Sequence, residues 1–184
     1  NTIVFQSDKL SDYFSLSVLH FAFNGYWPER DANMLTGSFK ELEAAAVLAR
    51  IAENEDSVMV LASAGNTGRA FLEYASYYGS LVLVVIPEFA LPQMWGSIAK
   101  TDNCKLLVLR DADYCDAIEL ADFIAALPGF FPEGGAKNVA RRDGMGTVML
   151  SAANEIGRIP DHYFQAVGSG TGGIAAWEMA WRLT

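Results

Sequence analysis

The sequence predicts an α/β fold built on open, mostly parallel sheets with flanking helices. Three observations lead there. After the first segment, short branched apolar stretches alternate with stretches of helical period, the order of such folds. The run LVLVVI at 81–86 is apolar at every position. A strand with one wet face would alternate, so this one is buried on both faces, as in a parallel sheet covered by helices. Finally, two glycine-containing loops each follow a strand-like stretch and open a helix-like one. In open α/β folds ligands bind there, beyond the C-terminal ends of the strands.

The elements follow in order. Positions 41–53 set Leu42, Ala45, Ala46, Ala49 and Ile51 at helical spacing. SVMVLA at 57–62 is short and branched and predicts a strand. Over 67–78, Phe71, Leu72, Ala75 and Tyr78 fall on one side of a helix, and Gly79 supplies its C-cap. LVLVVI then closes at Pro87. A helix is expected over 91–100 and a second buried strand, KLLVL, over 105–109. Ile118, Ala121, Ile124 and Ala125 give a helix over 114–127, stopped by Pro128-Gly129. Farther on, 145–156 reads as helix, HYFQAV at 162–167 as strand and 173–183 as the last helix. Trp177 and Trp181, four apart on that helix, are expected to pack in the core. Asp111, Asp113 and Asp116 read as loop and helix-start acids, and His20 and His162 as structural.

A chain of 184 residues, 52% apolar, can bury a sizeable core in one or two domains. Its net charge of −9 argues against nucleic acid as a partner, because phosphate backbones attract basic surfaces. The longest apolar run is far too short to span a bilayer, and the N-terminus lacks a signal-peptide pattern. It also lacks an initiator Met, consistent with processing or shortening. Cys104 and Cys115 have no metal-ligand spacing and read as reduced thiols of a cytoplasmic protein. No metal site is expected.

Three loops carry chemistry. The first is Ser38-Phe39-Lys40, a lysine between a Gly-Ser-Phe turn and a helix-favouring run. The second, ASAGNTG at 62–68, offers Ser63, Asn66 and Thr67 as donors, with Gly65 and Gly68 freeing the backbone. Its N–H groups suit a carboxylate, although a plain N-cap by Asn66 or Thr67 explains it equally well. The third is GSGTGG: Gly168, Ser169, Gly170, Thr171, Gly172 and Gly173. Its backbone N–H groups, two hydroxyls and the following helix start form a phosphate cradle without a lysine. A flexible glycine turn is the bland alternative. The dipole contributes roughly 0.3–1 kcal/mol and each charge-assisted hydrogen bond about 1.5–3 kcal/mol, enough in combination to hold a phosphate. The pattern GxxxxGK[ST] of nucleotide P-loops is absent.

A lone lysine with two anion loops matches the needs of pyridoxal 5'-phosphate, whose aldehyde a lysine holds as a Schiff base. The order SFK, SAGNTG, GSGTGG resembles the fold-type-II pyridoxal-phosphate enzymes, the tryptophan synthase beta-like group that includes threonine synthase, and the spacing from Lys40 to Asn66 looks like threonine synthase. The resemblance implies that Lys40 carries the cofactor and that Phe39 packs near it. It implies that Asn66 bonds the ring hydroxyl, and that Ser63, Ala64, Gly65, Asn66 and Thr67 receive the substrate carboxylate. Residues Gly168 through Gly173 would hold the cofactor phosphate. It also implies a homo-oligomer and a two-domain fold with the cofactor in the cleft. Positions 1–40 would lead into the large domain, 41–134 form the smaller one and 135–184 belong to the large one. The chain is then a partial copy, since the group facing the pyridine nitrogen is expected farther along.

Two stretches depart from ordinary threonine synthase. Glu41-Leu42-Glu43 follows the lysine where Asp-Arg is usual, and PEGGAKNVARRDGMGTVML fills 132–150. Together they resemble the cysteate synthase branch of that group. This implies conversion of O-phospho-L-serine and sulfite to L-cysteate and phosphate, for coenzyme M synthesis. Both reacting groups are anions, so a positive pocket is needed. Lys137, Arg141 and Arg142 are candidates, and on one helix Lys137 and Arg141 would share a face. Salt bridges to Asp143 and Glu133 are the equal alternative. Threonine synthase acting on O-phospho-L-homoserine, or a related lyase or dehydratase, is the nearest other reading. A non-catalytic anion- or nucleotide-binding module using the two glycine loops is the reading from another class.

Overall fold

The structure, a computed structural model, describes residues 1–51, 56–96 and 102–184. The chain opens with β1 (Ile3–Gln6), α1 (Asp8–Tyr13) and β2 (His20–Phe23), and β1 pairs antiparallel with β2. The two-residue strands β3 (Tyr26–Trp27) and β4 (Ala32–Asn33) form a second small ribbon. Arg30 lies over the rings of Phe5 and Trp27, joining the two ribbons by cation–π contact. Helix α2 (Lys40–Leu48) follows.

The main sheet has four parallel strands: β5 (Val58–Ala62), β6 (Val82–Pro87), β7 (Cys104–Leu109) and β8 (Phe130–Pro132), in the order β7-β6-β5-β8. Helix α3 (Asn66–Tyr78) joins β5 to β6, and α4 (Tyr114–Ala125) joins β7 to β8. LVLVVI is a central strand, as its unbroken apolar run requires. Its Val84 and Ile86 enter a core shared with Phe71, Leu72 and Ala75 of α3 and Ala44 and Val47 of α2. Val85 points to the other face, against Ala117 and Ala121 of α4. Both faces are dry, so alternation has nothing to report. Asp113 caps α4 in a capping box with Asp116, the helix-start role expected of these acids.

The order of strands reverses at β5. The chain steps outward through β6 and β7, then returns to lay β8 on the opposite side of β5. A crevice opens at such a switch point beyond the strand's C-terminal end. The segment leaving β5 there is ASAGNTG.

Beyond the sheet, α5 (Val139–Ile156) packs between α2 and α6 (Thr171–Arg182). Two glycines make the close approach possible. A Cβ at Gly144 would strike the Leu42 carbonyl group of α2, with its carbon at 2.9 Å and Ala46 Cβ at 2.7 Å. A Cβ at Gly146 would crowd Ala175 and Met179 of α6. Gly144→Ala is therefore expected to lower the unfolding free energy by about 1–3 kcal/mol, outweighing a propensity gain of up to about 1 kcal/mol. Urea unfolding reads this directly, and an unchanged midpoint would mean that α2 and α5 part without cost.

Four expectations are corrected. HYFQAV forms no strand: no segment among the described residues pairs with it, and Phe164 and Val167 are exposed. Trp177 and Trp181 are not core residues, at 69% and 71% exposed. α6 buries its small face instead, through Thr171, Gly172, Ala175 and Ala176. Lys137 and Arg141 share no helix face. Lys137 ends a 3-10 turn (Gly135–Lys137), and Asn138 then caps α5 by accepting the Arg141 N–H at 3.4 Å. The helix expected over 91–100 is, where described, a run of 3-10 turns (Glu88–Met94) containing Pro92. Positions 97–100, like 52 and 53 of the first expected helix, lie outside the described residues.

Candidate active site

Lys40 is the first residue of α2. Before it, the Gly37 N–H donates to the Met34 carbonyl at 3.0 Å, and Gly37 adopts φ +64°, turning the chain into the helix. The Ser38 hydroxyl accepts the Lys40 N–H at 3.3 Å. The Lys40 side chain, 18% exposed, places Nζ 4.8 Å over the Phe39 ring and 3.5 Å from Glu43 Oε2. A surface lysine would not be held on two sides.

Glu43 is fully buried, yet follows the lysine by one helical turn. Arg141 of α5 explains how. Its Nε donates to Glu43 Oε2 at 2.9 Å and its Nη2 to Oε1 at 3.0 Å, a bidentate pair. Its Nη1 donates to Glu133 Oε2 at 2.7 Å. Burial alone would lower the Arg141 pKa, but the two carboxylates outweigh it and push it above its ordinary value. Burial pushes Glu133 upward, only partly offset by Arg141 and by the Gly135 N–H. Arg142 is likewise engaged, with Glu178 at 2.9 Å and the Ala136 carbonyl at 2.6 Å. Of the three expected pocket cations, Lys137 alone forms no ion pair among the described residues.

The β5 loop is set by Ser63. Its buried hydroxyl accepts the N–H groups of Gly65 at 3.2 Å and Gly68 at 2.8 Å, doing the work of a cap. Neither Asn66 nor Thr67 caps α3, whose N-cap residue is Gly65. Asn66 instead turns its carbonyl oxygen to Arg69 Nη2 at 2.8 Å and remains exposed. Arg69 also reaches the Thr36 carbonyl at 2.6 Å, so the lysine turn and the Asn66 loop are tied directly. Glu41 supports the same turn: its Oε1 accepts the Thr36 N–H, and its Oε2 accepts the Tyr74 hydroxyl at 3.0 Å. Burial, and Glu41 beside it, raise the Tyr74 pKa well above the ordinary range.

At the third loop, Gly170 takes φ +81° at the N-cap of α6. The first bond of that helix runs from the Ile174 N–H to the Gly170 carbonyl at 3.1 Å. The N–H groups of Thr171, Gly172 and Gly173 thus precede the ladder. Ser169 and Thr171 place their hydroxyls 2.9 Å apart beside them. A side chain at Gly172 would strike Gln165, whose Cδ lies 3.0 Å from the position of the missing Cβ. Gln165 and Phe39 both line one apolar cavity of about 430 Å³, bounded also by Phe21, Met145 and Val148, with His20 and His162 on its wall. The cavity thus reaches Phe39 of the lysine turn and the segment just before the glycine loop, while Lys40, Asn66 and residues 168–173 do not line it.

These are the elements of the resembled family, in its order and on its elements. The model of the family described as "Pyridoxal-phosphate dependent enzyme" matches residues 16–183. The chain belongs to that family. This pyridoxal-phosphate family member is 55% identical over 181 residues to the cysteate synthase of Methanoregula boonei, covering 98% of this chain and 42% of that protein. It is 53% identical over 182 residues to the cysteate synthase of Methanosarcina acetivorans, covering 98% and 44%. It thus spans less than half the length of these curated relatives. Maize serine racemase shares the fold, with a TM-score of 0.76 at 17% identity over 99% of this chain and 52% of that one. The fold-type-II class read from the three motifs is borne out.

The residues present fit the family's cofactor. A phosphate needs converging donors, and at the α6 start three N–H groups have no partner among the described residues, with the Ser169 and Thr171 hydroxyls beside them and the Gln165 side chain against Gly172. An aldehyde needs a nearly buried amine, and Lys40 is one. Two residues that sequence reasoning left out are Arg69 and Glu43. Arg69 stands one helical turn after Asn66, a spacing that could have drawn notice. The partner of Glu43 lies 98 positions away, beyond any local pattern.

Proposed function

We propose that this chain is the Lys40-bearing portion of an enzyme that makes L-cysteate from O-phospho-L-serine and sulfite by β-replacement. The observation that carries this is the identity above one half, over nearly the whole chain, to proteins named cysteate synthase. When bound, pyridoxal phosphate supplies the electron sink that makes the substrate Cα proton removable. Gly168 through Gly173 would hold its phosphate, Phe39 pack beside it and Asn66 bond its ring oxygen. The Ser63–Thr67 loop would receive the substrate carboxylate.

Lys40 would hold the cofactor by its aldehyde and, once displaced by substrate, take the Cα proton at Nζ. The Glu43 carboxylate 3.5 Å away then faces the ammonium so formed. Phosphate leaves Cβ with its bonding pair, the sulfite sulfur forms the new bond there, and the Lys40 ammonium returns its proton to Cα. Lys137 is assigned to the incoming and departing anions. Arg141, committed to Glu43 and Glu133, is assigned to the frame behind Lys40. Positions 41–134 would form the smaller domain, with 1–40 and 135–184 in the larger one, in a cytoplasmic homo-oligomer. Among the described residues no helix is long and apolar enough to cross a membrane.

The test is product analysis with the full-length, cofactor-loaded protein. Phosphoserine with sulfite is expected to yield cysteate and one phosphate. Threonine from phosphohomoserine, with no cysteate, would replace this reading with threonine synthase.

A further inference from the structure

Arg69 is the most completely enclosed cation near the three loops, 4% exposed and, among the described residues, paired with no carboxylate at bonding distance. Burial lowers its pKa, partly offset by Glu41. Such a group is costly to bury and is kept charged here by neutral acceptors. Nη1 donates to the Gln93 carbonyl at 2.7 Å, and the guanidinium stacks 4.1 Å from the Trp95 ring centre. Nη2 divides its two protons between the Thr36 carbonyl at 2.6 Å and Asn66 Oδ1 at 2.8 Å. One nitrogen thus joins the lysine turn to the first side chain of α3.

That geometry fixes more than a distance. A guanidinium can only donate, so the Asn66 atom facing it must be the carbonyl oxygen. The amide cannot flip, so its Nδ2 is the side-chain atom left to meet a ligand; it has no partner among the described residues, and Asn66 is exposed. We propose that Arg69 is a positioning residue: it locks the Asn66 amide so that only N–H donors meet the ligand. This rests on the proposed function, in which the ligand atom is the cofactor's ring oxygen. It adds that the orientation of that amide is set by a residue that never touches the cofactor.

A double-mutant cycle on the full-length protein tests this, read by titrating stripped protein with pyridoxal phosphate and by the visible band of the bound cofactor. Arg69→Met is expected to weaken cofactor binding about tenfold and to shift the band. In an Asn66→Ala background the same change is expected to cost less than about twofold, because the side chain it acts through is gone. Equal losses in both backgrounds, or none in either, overturn the proposal. Asn66→Asp is the second arm, needing no loss of Arg69: the carboxylate keeps the Arg69 contact but turns an acceptor to the ring oxygen. It is expected to lose the band's position and at least about tenfold in affinity; unchanged binding overturns the proposal. If Arg69→Met fails to fold, Arg69→Gln enters the same cycle. Failure of the unaltered protein to bind the cofactor at all overturns the proposed function itself, and this inference with it.

Discussion

Lys40→Ala is expected to abolish covalent capture of pyridoxal phosphate and to reduce turnover by more than about a thousandfold. Two roles end together, since one amine both holds the cofactor and moves the Cα proton, and a positioned base alone is typically worth 10²–10⁴-fold. The other described lysines do not substitute. Lys9 is exposed on α1, Lys105 is exposed on β7 beside Asp102, and Lys137 ends a 3-10 turn. Only Lys40, among the described residues, combines a helix start, a nearly buried amine and a buried carboxylate 3.5 Å away. The fold should survive, because the buried Glu43 keeps its bidentate bond to Arg141 when the lysine is removed. Borohydride trapping followed by peptide mapping reads the result, with circular dichroism as the check on folding. In the unaltered protein the label belongs in the peptide containing positions 36–44. A label that persists there or elsewhere in the variant, or cofactor-dependent turnover that remains, would end the assignment.

Much of this was legible in the residues because both fold and motifs are written locally. LVLVVI needs no alternation when both faces are covered, and the structure covers both. The ASAGNTG and GSGTGG loops are recognisable since a tight strand-to-helix exit needs small residues and donors in a short span. HYFQAV failed as a strand for a physical reason: branched and aromatic residues favour extended backbone, but a strand exists only where a neighbour supplies hydrogen bonds. The Trp pair failed differently. Helical periodicity shows that a face exists, not which face is covered, and α6 has two apolar faces. Its small residues pass close to Gly146 of α5, which a face of tryptophans could not do. The Arg141 assignment stood between an anion pocket and salt bridges, and local pattern could not choose. The decisive carboxylate, Glu43, comes from another helix.

Arg141→Met is expected to cost about 3–5 kcal/mol of unfolding free energy, the range for removing one partner from a buried ion pair. The cost arises mainly from what remains. Glu43 and Glu133 are both buried, and both lose the group that justified their charge. The deficit should depend on pH with a definite sign. Burial already raises the Glu133 pKa above its ordinary 4.5 in the folded protein, even with Arg141 present. As pH rises from that ordinary value through the raised one, the unfolded chain releases the proton first, and Glu133 then detracts from stability. Removing Arg141 removes the main offset to burial, so this loss grows and extends to higher pH. The variant should therefore lie closest to the unaltered protein near about pH 5 and fall away toward about pH 8, whereas a lost surface salt bridge, whose carboxylate titrates below its ordinary value, would leave a deficit already constant over that range. Urea unfolding at both pH values tests it. A deficit below about 1 kcal/mol, or one that grows as the pH is lowered, would show that Arg141 is not the counter-charge of this cluster and return it to the candidates for the substrate anion. A large deficit of the stated sign would leave Lys137 as the cation to test next with phosphoserine.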